Sequence, residues 1–425
     1  WHSILKRSWR RGLSQFIWHR KPRPYSVPRH WPACGRATLK KNLSKKENIM
    51  TINDLYTPCL ILDKGKLIKN IARMQDHLND LGVTLRPHVK TSKSVPVALL
   101  CGGGELGPIT VSTLKEAEYF ASAGFKDIIY AVSIVPDKLT RAKAIMDTGV
   151  DLKLIIDDAI VAQEISNYGV KNDCVFKVMI EIDSDMHRAG LSADATEVID
   201  VARALDQGKG TEMVGVLTHA GESFSCGSEQ ELIQMAEQER KAITSAAENI
   251  KTAGLPCPIV SCGSTPTATF ARDLSGVTEV RAGVFVFQDV FQAGLGVCDK
   301  SDIALSVLCT VISHKKNQNR LITDAGGMAL SKDQSTRGTD FDCGYGLVAD
   351  IDGTIIEELR VEGANQEHGL ITTQNGTVNF ENYPIGTKLR ILPNHSCMTA
   401  AAYDHYNIVD GSDEITENWQ RCNGW

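Results

Sequence analysis

The stretch VFKVMIEID at residues 175–183 decides how this chain folds. Apolar residues stand side by side in it instead of alternating with polar ones, so a strand here has two faces to bury. LKLII at 152–156 has the same texture. Such runs fit a parallel sheet covered by helices. Working outward, strand-like runs also lie at 84–90, 107–113, 127–134, 213–219, 258–263 and 277–285, with 151–157 and 175–183 completing the set. Helical periods fill the gaps. The first starts near Lys64, with Leu67, Ile68, Ile71, Met74, Leu78 and Leu81 at steps of three and four, and Gly82 stops it. Others cover about 113–123, 137–147, 159–168, 192–206, 228–253 and 266–272. A doubly wound open sheet gives the same local signal. The count of eight strands decides for a (β/α)8 barrel over 64–295.

Beyond residue 296 the texture changes. Short runs at 305–313, 320–324, 346–351, 355–361, 369–373 and 388–392 are separated by turns such as Asp352-Gly353 and Asn375-Gly376. This predicts a C-terminal antiparallel β domain over 296–425, and the strand Cys59–Leu62, within the segment 50–63, is expected to join it. The fold class is α/β, a barrel with an added β domain.

The 425 residues are 42% hydrophobic and 23% charged, as in an ordinary globular protein. No apolar run of membrane-spanning length is present, so no membrane partner is expected. Residues 1–49 hold 13 Lys/Arg and one acid, Glu47, whereas 50–425 hold 33 basic and 50 acidic residues. An acidic body lacks the basic footprint that nucleic acid requires. The basic segment 1–49 is expected to be a non-native or disordered extension, with an Arg-rich organelle presequence as the alternative. The 12 cysteines are scattered, with no C-x-x-C pair. Reduced thiols and a cytoplasmic location are expected.

In such barrels the active site lies where the strands end at their C-terminal face. That rule points to Lys90 in RPHVKT (86–91), Arg188 in DMHRAG (185–190), His219 in THAG (218–221), Gly263-Ser264-Thr265 and Arg281-Ala282-Gly283-Val284. A lysine at that mouth beside an arginine has a lowered pKa and can act as an uncharged amine; a salt-bridging surface lysine is the alternative. Glycine turns after the last strands offer backbone N–H groups to an anion, or are plain loops. Near the other end, His395 and Cys397 in PNHSC (393–397) lie two apart on what reads as an extended segment, so both point one way. Imidazole and thiolate suit zinc, although a structural site needs four ligands. The charge-rich span Glu229–Arg240 reads as a solvated helix face.

Here the motifs become specific. Arg86-Pro87-His88-x-Lys90-Thr91-x-Lys93 resembles the cofactor-lysine segment of the D-serine dehydratase / D-threonine aldolase family, among the alanine-racemase-like, fold-type III pyridoxal-phosphate (PLP) enzymes. Thr57–Asp63, Met186–Gly190, Cys262–Thr267 and Arg281–Phe285 also resemble it, in the family's order across about 55–410. The resemblance implies that Lys90 is the Schiff-base lysine and the base at Cα. It implies that Arg188 meets the cofactor's phenolic oxygen, His219 lines the ring and Arg281 faces the pyridine nitrogen. Gly263, Ser264, Thr265, Gly283 and Val284 would hold the phosphate. The family's tyrosines near Leu217 and Phe224 are absent.

His-x-Cys is similar to the dehydratase branch, which implies Zn²⁺ at His395 and Cys397. The aldolases show His-x-Asp and take Mn²⁺ or Mg²⁺. The implied activity is a PLP- and zinc-dependent dehydratase, an ammonia-lyase turning D-serine, D-threonine or D-3-hydroxyaspartate into a 2-oxo acid and ammonia. A metal-dependent aldolase and a non-catalytic PLP-binding protein are the rivals. A homodimer is expected.

Overall fold

The structure, a computed structural model, describes residues 49–186 and 188–425. The expectations for the basic extension, up to residue 48, lie outside these. The first strand, β1 (Cys59–Asp63), leads into the helix Lys64–Asp80, whose first turn Asp63 caps by accepting the Lys66 N–H at 2.9 Å. Then come β2 (Thr84–Leu85), β3 (Ile109–Val111), β4 (Asp127–Tyr130), β5 (Asp151–Ile156), β6 (Phe176–Asp183), the short β7 (Leu191–Ser192), β8 (Thr211–Thr218), β9 (Ile259–Cys262) and β10 (Glu279–Val280).

Leaving β7 aside, the eight strands β2 to β10 are parallel neighbours in the order β2-β10-β9-β8-β6-β5-β4-β3. The ring closes where His88 bridges Thr110. There Val89 N–H donates to the Thr110 carbonyl and Thr110 N–H to the Pro87 carbonyl, both at 2.9 Å. This is the (β/α)8 barrel that the run of strands predicted. Leu154 and Ile156 pack in the large cluster under the helices, while Ile155 joins Ile129, Met179, Val214 and Leu217 in a separate cluster on the opposite face. Both faces of β5 are therefore apolar, which is why the sequence does not alternate there. At the strand starts, buried Arg86 bonds Glu279 at 2.7 Å and Asp127 at 2.9 Å.

The second part holds β11 (Leu305–Lys315), β12 (Arg320–Thr323), β13 (Gly346–Ala349), β14 (Ile355–Ala364), β15 (Gly369–Thr373), β16 (Lys388–Pro393), β17 (His405–Val409) and β18 (Glu417–Gln420). Its order is β12-β15-β14-β13-β16-β11-β1-β17-β18, and a β12–β11 pairing closes the first six into a barrel. A register shift between Val311 and Ser313 bends β11 so that its two halves serve different neighbours. β1 pairs antiparallel with β11 and parallel with β17. The strands β17 and β18 were not predicted, nor was the helix Val95–Cys101, where Pro96 stands in the first turn and its missing N–H costs nothing. The described cysteines are free. No helix among the described residues is long and apolar enough to cross a membrane.

Candidate active site

The strand ends and the β domain enclose a cavity of about 830 Å³. Its wall includes Lys90, Arg188, His219, Gly263, Ser264, Thr265, Arg281, Gly283, Val284, His395 and Cys397. The chain thus brings together residues up to 307 positions apart in sequence.

Lys90 opens a tight turn after His88, in which Lys93 (φ 47°) returns its N–H to the Val89 carbonyl at 2.7 Å. The β domain holds this turn from the other side. The Tyr406 hydroxyl donates to the Ser92 carbonyl at 2.7 Å, and Cys422 N–H to the Lys93 carbonyl at 2.8 Å. Lys93 also pairs with buried Glu116 at 3.0 Å. Burial first, then the charges of Arg188 and Arg281, lower the Lys90 pKa against the pull of Cys397. Burial and the Lys90 charge likewise hold His88 and His219 well below the ordinary histidine value, so both rings are neutral. His219 Nδ1 lies 3.0 Å from the Gly263 carbonyl, which only accepts, so the proton is on Nδ1 and Nε2 keeps its lone pair.

An anion cradle adjoins them. Gly263 has φ 126°, and a Cβ there would stand 2.5 Å from the Arg281 carbonyl oxygen. A Cβ at Gly283 would come within 3.0 Å of the His88 carbonyl oxygen and 3.1 Å of Thr91 Oγ1. Ser264 caps the helix Thr265–Phe270, its hydroxyl meeting Ser223 at 2.9 Å and Thr267 at 3.0 Å. These bonds shape the loop, and they leave the backbone N–H groups of Thr265, Gly283 and Val284 without a protein acceptor among the described residues. Thr265 Oγ1 accepts the Phe285 N–H at 3.2 Å and keeps its own proton to donate.

Glu239 corrects the expectation of a solvated helix face. Within the helix Glu229–Thr252 it is 2% exposed, and its Oε1 accepts Ala220 N–H at 2.8 Å and Gly263 N–H at 3.0 Å. It ties the turn after β8 to the turn after β9. Nothing in the charge pattern distinguishes it from its exposed neighbours. Arg281 is buried, with Nη1 bonded to Ser261 Oγ at 2.7 Å and Nη2 to the Thr218 carbonyl. Among the described residues its Nε has no partner, nor has Nδ1 of His88. A buried unpaired donor on a cavity wall marks a place where a ligand atom belongs.

At the other end, the expected extended segment is in fact a helix start. His395 is the N-cap of the helix Ser396–Ala400 and Cys397 lies in its first turn. The two side chains converge because a capping residue and the first turn share one end of a helix, rather than through strand alternation. His395 Nδ1 bonds Asp333 Oδ2 at 2.7 Å, which leaves Nε2 as the ring nitrogen that could take a metal once its proton is displaced. Asp333 is itself held by the Ser335 N–H at 2.9 Å. Cys397 Sγ lies 3.1 Å from Thr91 Oγ1. Although burial acts the other way, bonds to Asp333 and Cys397 push His395 up to about 11. Although burial raises a thiol, His395 holds Cys397 below its ordinary value. A proton shared by imidazole and thiolate is one that a metal cation displaces. No group of three or more His, Cys, Asp or Glu placed for a metal is found among the described residues. Asp333 and Asp289 both line this end. Sequence reasoning missed them because they lie far from PNHSC and carry no motif.

Comparison with known proteins shows the family. The alanine racemase N-terminal domain family matches residues 62–289, and the serine dehydratase domain matches 304–409. The chain belongs to the D-serine dehydratase / D-threonine aldolase family of alanine-racemase-like, fold-type III PLP enzymes. It is 47% identical over 379 residues to D-threo-3-hydroxyaspartate dehydratase of Delftia sp., covering 88% of this chain and 99% of that one. It is 30% identical to D-serine dehydratase of Dictyostelium discoideum, covering 89% and 100%. The solved Delftia dehydratase superposes with a TM-score of 0.86 at 46% identity, covering 88% and 100%. A cysteine-to-alanine variant of that dehydratase has been solved in a metal-free form. Relatives in this family are lyases, and this chain is one of them.

Proposed function

We propose that this protein is a PLP- and zinc-dependent dehydratase that converts a D-β-hydroxy amino acid to a 2-oxo acid and ammonia. One observation carries the reading: the Lys90 amine and the His395–Cys397 pair face one cavity, with Thr91, next to Lys90, touching Cys397 at 3.1 Å. A base and a set of metal donors therefore stand within reach of adjacent carbon atoms, as loss of water requires. A cysteine-to-alanine variant of a D-threo-3-hydroxyaspartate dehydratase solved in a metal-free form supports a metal held through a cysteine.

The cavity fits the cofactor. The unpaired Arg281 Nε and the cradle at Thr265, Gly283 and Val284 need a ring nitrogen and a phosphate respectively. When bound, PLP supplies an electron sink for charge at Cα and zinc a Lewis acid for the β-oxygen. Lys90 would hold the cofactor and, as an uncharged amine, would take the proton from Cα. Arg281 donates through Nε, because an arginine cannot give up a proton to the ring. Arg188 would meet the cofactor's phenolic oxygen, and His219, with Nδ1–H turned to Gly263, would line its ring. His395 and Cys397 would hold the metal through Nε2 and Sγ, and its Lewis acidity would let the β-oxygen leave with the electrons of the Cβ–O bond. The aromatic rings of Phe224 and Phe291, stacked at 15° and 6.2 Å, line the cavity. The enamine released takes up water to give the 2-oxo acid and ammonia. Asp333 positions His395.

The test is direct. Purified protein is incubated with D-serine, D-threonine and D-3-hydroxyaspartate, with zinc and after EDTA, and 2-oxo acid and glycine are both measured. The reading expects 2-oxo acid, its loss on chelation, its return with zinc, and no turnover by Lys90→Ala. Glycine with an aldehyde, or turnover indifferent to EDTA, overturns it.

A further inference from the structure

Arg281 belongs to a chain of buried hydrogen bonds that runs from the cavity to the floor of the barrel. Its Nη2 donates to the Thr218 carbonyl and its Nη1 to Ser261 Oγ at 2.7 Å. An arginine only donates, so the Ser261 hydroxyl accepts there and turns its own proton to Glu279 Oε1, 2.7 Å away. Glu279 Oε2 accepts from Arg86 Nε at 2.7 Å, and Arg86 grips both oxygens of Asp127 at 2.9 and 3.1 Å. Lys153 reaches the same Asp127 carboxylate at 2.7 Å. Ser261, Glu279, Arg86 and Lys153 are all buried. Val260 and Cys262, on either side of Ser261, pack in the cluster under the helices, so Ser261 faces the barrel interior. Burial lowers the Arg281 pKa, and among the charges that oppose this the largest is that of Glu279.

A guanidinium is planar, so bonds from Nη1 and Nη2 together fix the direction of Nε–H, the donor without a partner among the described residues. We propose that Ser261 is a positioning residue: by holding Nη1 and passing its own proton to Glu279, it aims the Arg281 Nε–H at the nitrogen of the cofactor ring. This rests on the PLP reading above. Without the hydroxyl, Nη1 is a buried donor with no acceptor, and the side chain turns to find another. The Thr218 carbonyl holds one corner of the group and does not hold its plane. The hydroxyl also links Arg281 to the Glu279 carboxylate through two charge-assisted bonds, which stabilises the cation in a dry site. The arginine therefore keeps its proton, and the ring nitrogen meets a donor with its lone pair intact.

The experiment loads cofactor-free protein with PLP and with its deaza analogue, in which C–H replaces the ring nitrogen while the aldehyde and phosphate are kept. Equilibrium dialysis gives the ratio of the two dissociation constants. Wild type should favour PLP by about 10- to 100-fold, the value of one hydrogen bond to a charged donor. Ser261→Ala should weaken PLP by about tenfold and leave the analogue within about threefold, so the ratio narrows. Ser261→Cys, whose sulfur accepts weakly, should narrow it too, and Ser261→Thr, which keeps the hydroxyl, should hold the wild-type ratio. A role in stability alone moves both ligands together. An unchanged ratio in the alanine and cysteine variants, or a parallel fall for both ligands, overturns the inference and leaves the PLP reading standing. Equal affinity for the two ligands in wild type removes the contact of Arg281 with the ring nitrogen, and the inference with it. A wild type that binds neither ligand sinks the PLP reading itself.

Discussion

Replacing Asp333 by alanine isolates the part of the proposed zinc site that is not a ligand. Its Oδ2 lies 2.7 Å from His395 Nδ1, both side chains are partly buried, and the Ser335 N–H and hydroxyl hold the carboxylate in place. The bond fixes the tautomer that leaves Nε2 free and raises the basicity of that nitrogen. Losing such an outer partner weakens a metal site by about 10- to 100-fold, or about 1.4 to 2.7 kcal/mol. Asp333→Asn keeps an acceptor for Nδ1–H but not its charge. Charged hydrogen bonds are about twice as strong as neutral ones, so asparagine loses about half as much on the free-energy scale. Chelator-competition titration with zinc, together with metal content after dialysis, reads both variants. The cofactor's absorbance and the melting temperature serve as controls, because the bonds of Asp333 go to His395 and Ser335 and not to Lys90 or the cradle. Wild-type zinc affinity in a folded Asp333→Ala protein would refute the assignment of His395 as a ligand through Nε2.

Other perturbations follow from the same geometry. The lowered Lys90 pKa means that the amine needed to capture the cofactor is free at a lower pH than an ordinary lysine. Reloading of cofactor-free protein should therefore rise with pH and level off below the ordinary lysine value of about 10.4, and a rise centred at or above it contradicts the burial of Lys90. Arg86→Leu strands Glu279, whose side chain is 12% exposed, and should cost about 3 to 5 kcal/mol in chemical denaturation, while an unchanged midpoint would mean that the buried pair is not formed. Gly263→Ala forces a Cβ to 2.5 Å from the Arg281 carbonyl at φ 126°, so the cradle must shift. Equilibrium dialysis should show weaker PLP binding, and wild-type affinity would place the phosphate elsewhere.

The barrel was legible because its strands are buried on both faces. Runs such as Leu152–Ile156 and Phe176–Ile182 have no periodicity that a half-exposed strand or a surface helix can share, and their count closes the ring. The β domain was legible through turns, and for that reason β17 and β18 escaped: HYNIV at 405–409 sits among polar residues, and its partner β1 lies more than 340 positions upstream. The cavity's residues were legible where a strand end or a motif marked them. The partners that orient them were not. Asp333, Asp289 and Glu239 act through bonds that depend on three-dimensional closure, and a single acid has no local signature of burial. The segment 395–397 shows the limit most clearly. The two candidate donors were chosen from residue chemistry, while the backbone that aims them is a helix start, set by Asp289 accepting the Ser396 N–H from 107 positions away.

That long-range bond explains why the chemistry needs both parts of the protein. Dehydration removes a proton from Cα and an oxygen from Cβ, adjacent atoms, so an error of an ångström between base and metal is costly. The proposed base stands on the barrel and the proposed metal donors on the β domain, and the chain locks the two together at the site. Thr91 touches Cys397, Ser396 Oγ donates to the Gln288 carbonyl at 2.6 Å, and Asp289 holds Ser396. From the opposite direction, Tyr406 and Cys422 reach over to the turn that presents Lys90. Each domain thus fixes the reactive segment of the other. A barrel cut free of the β domain would keep the strand that ends at His88 but lose the bonds that set the Lys90 turn, and the two halves of the reaction would lose their common frame.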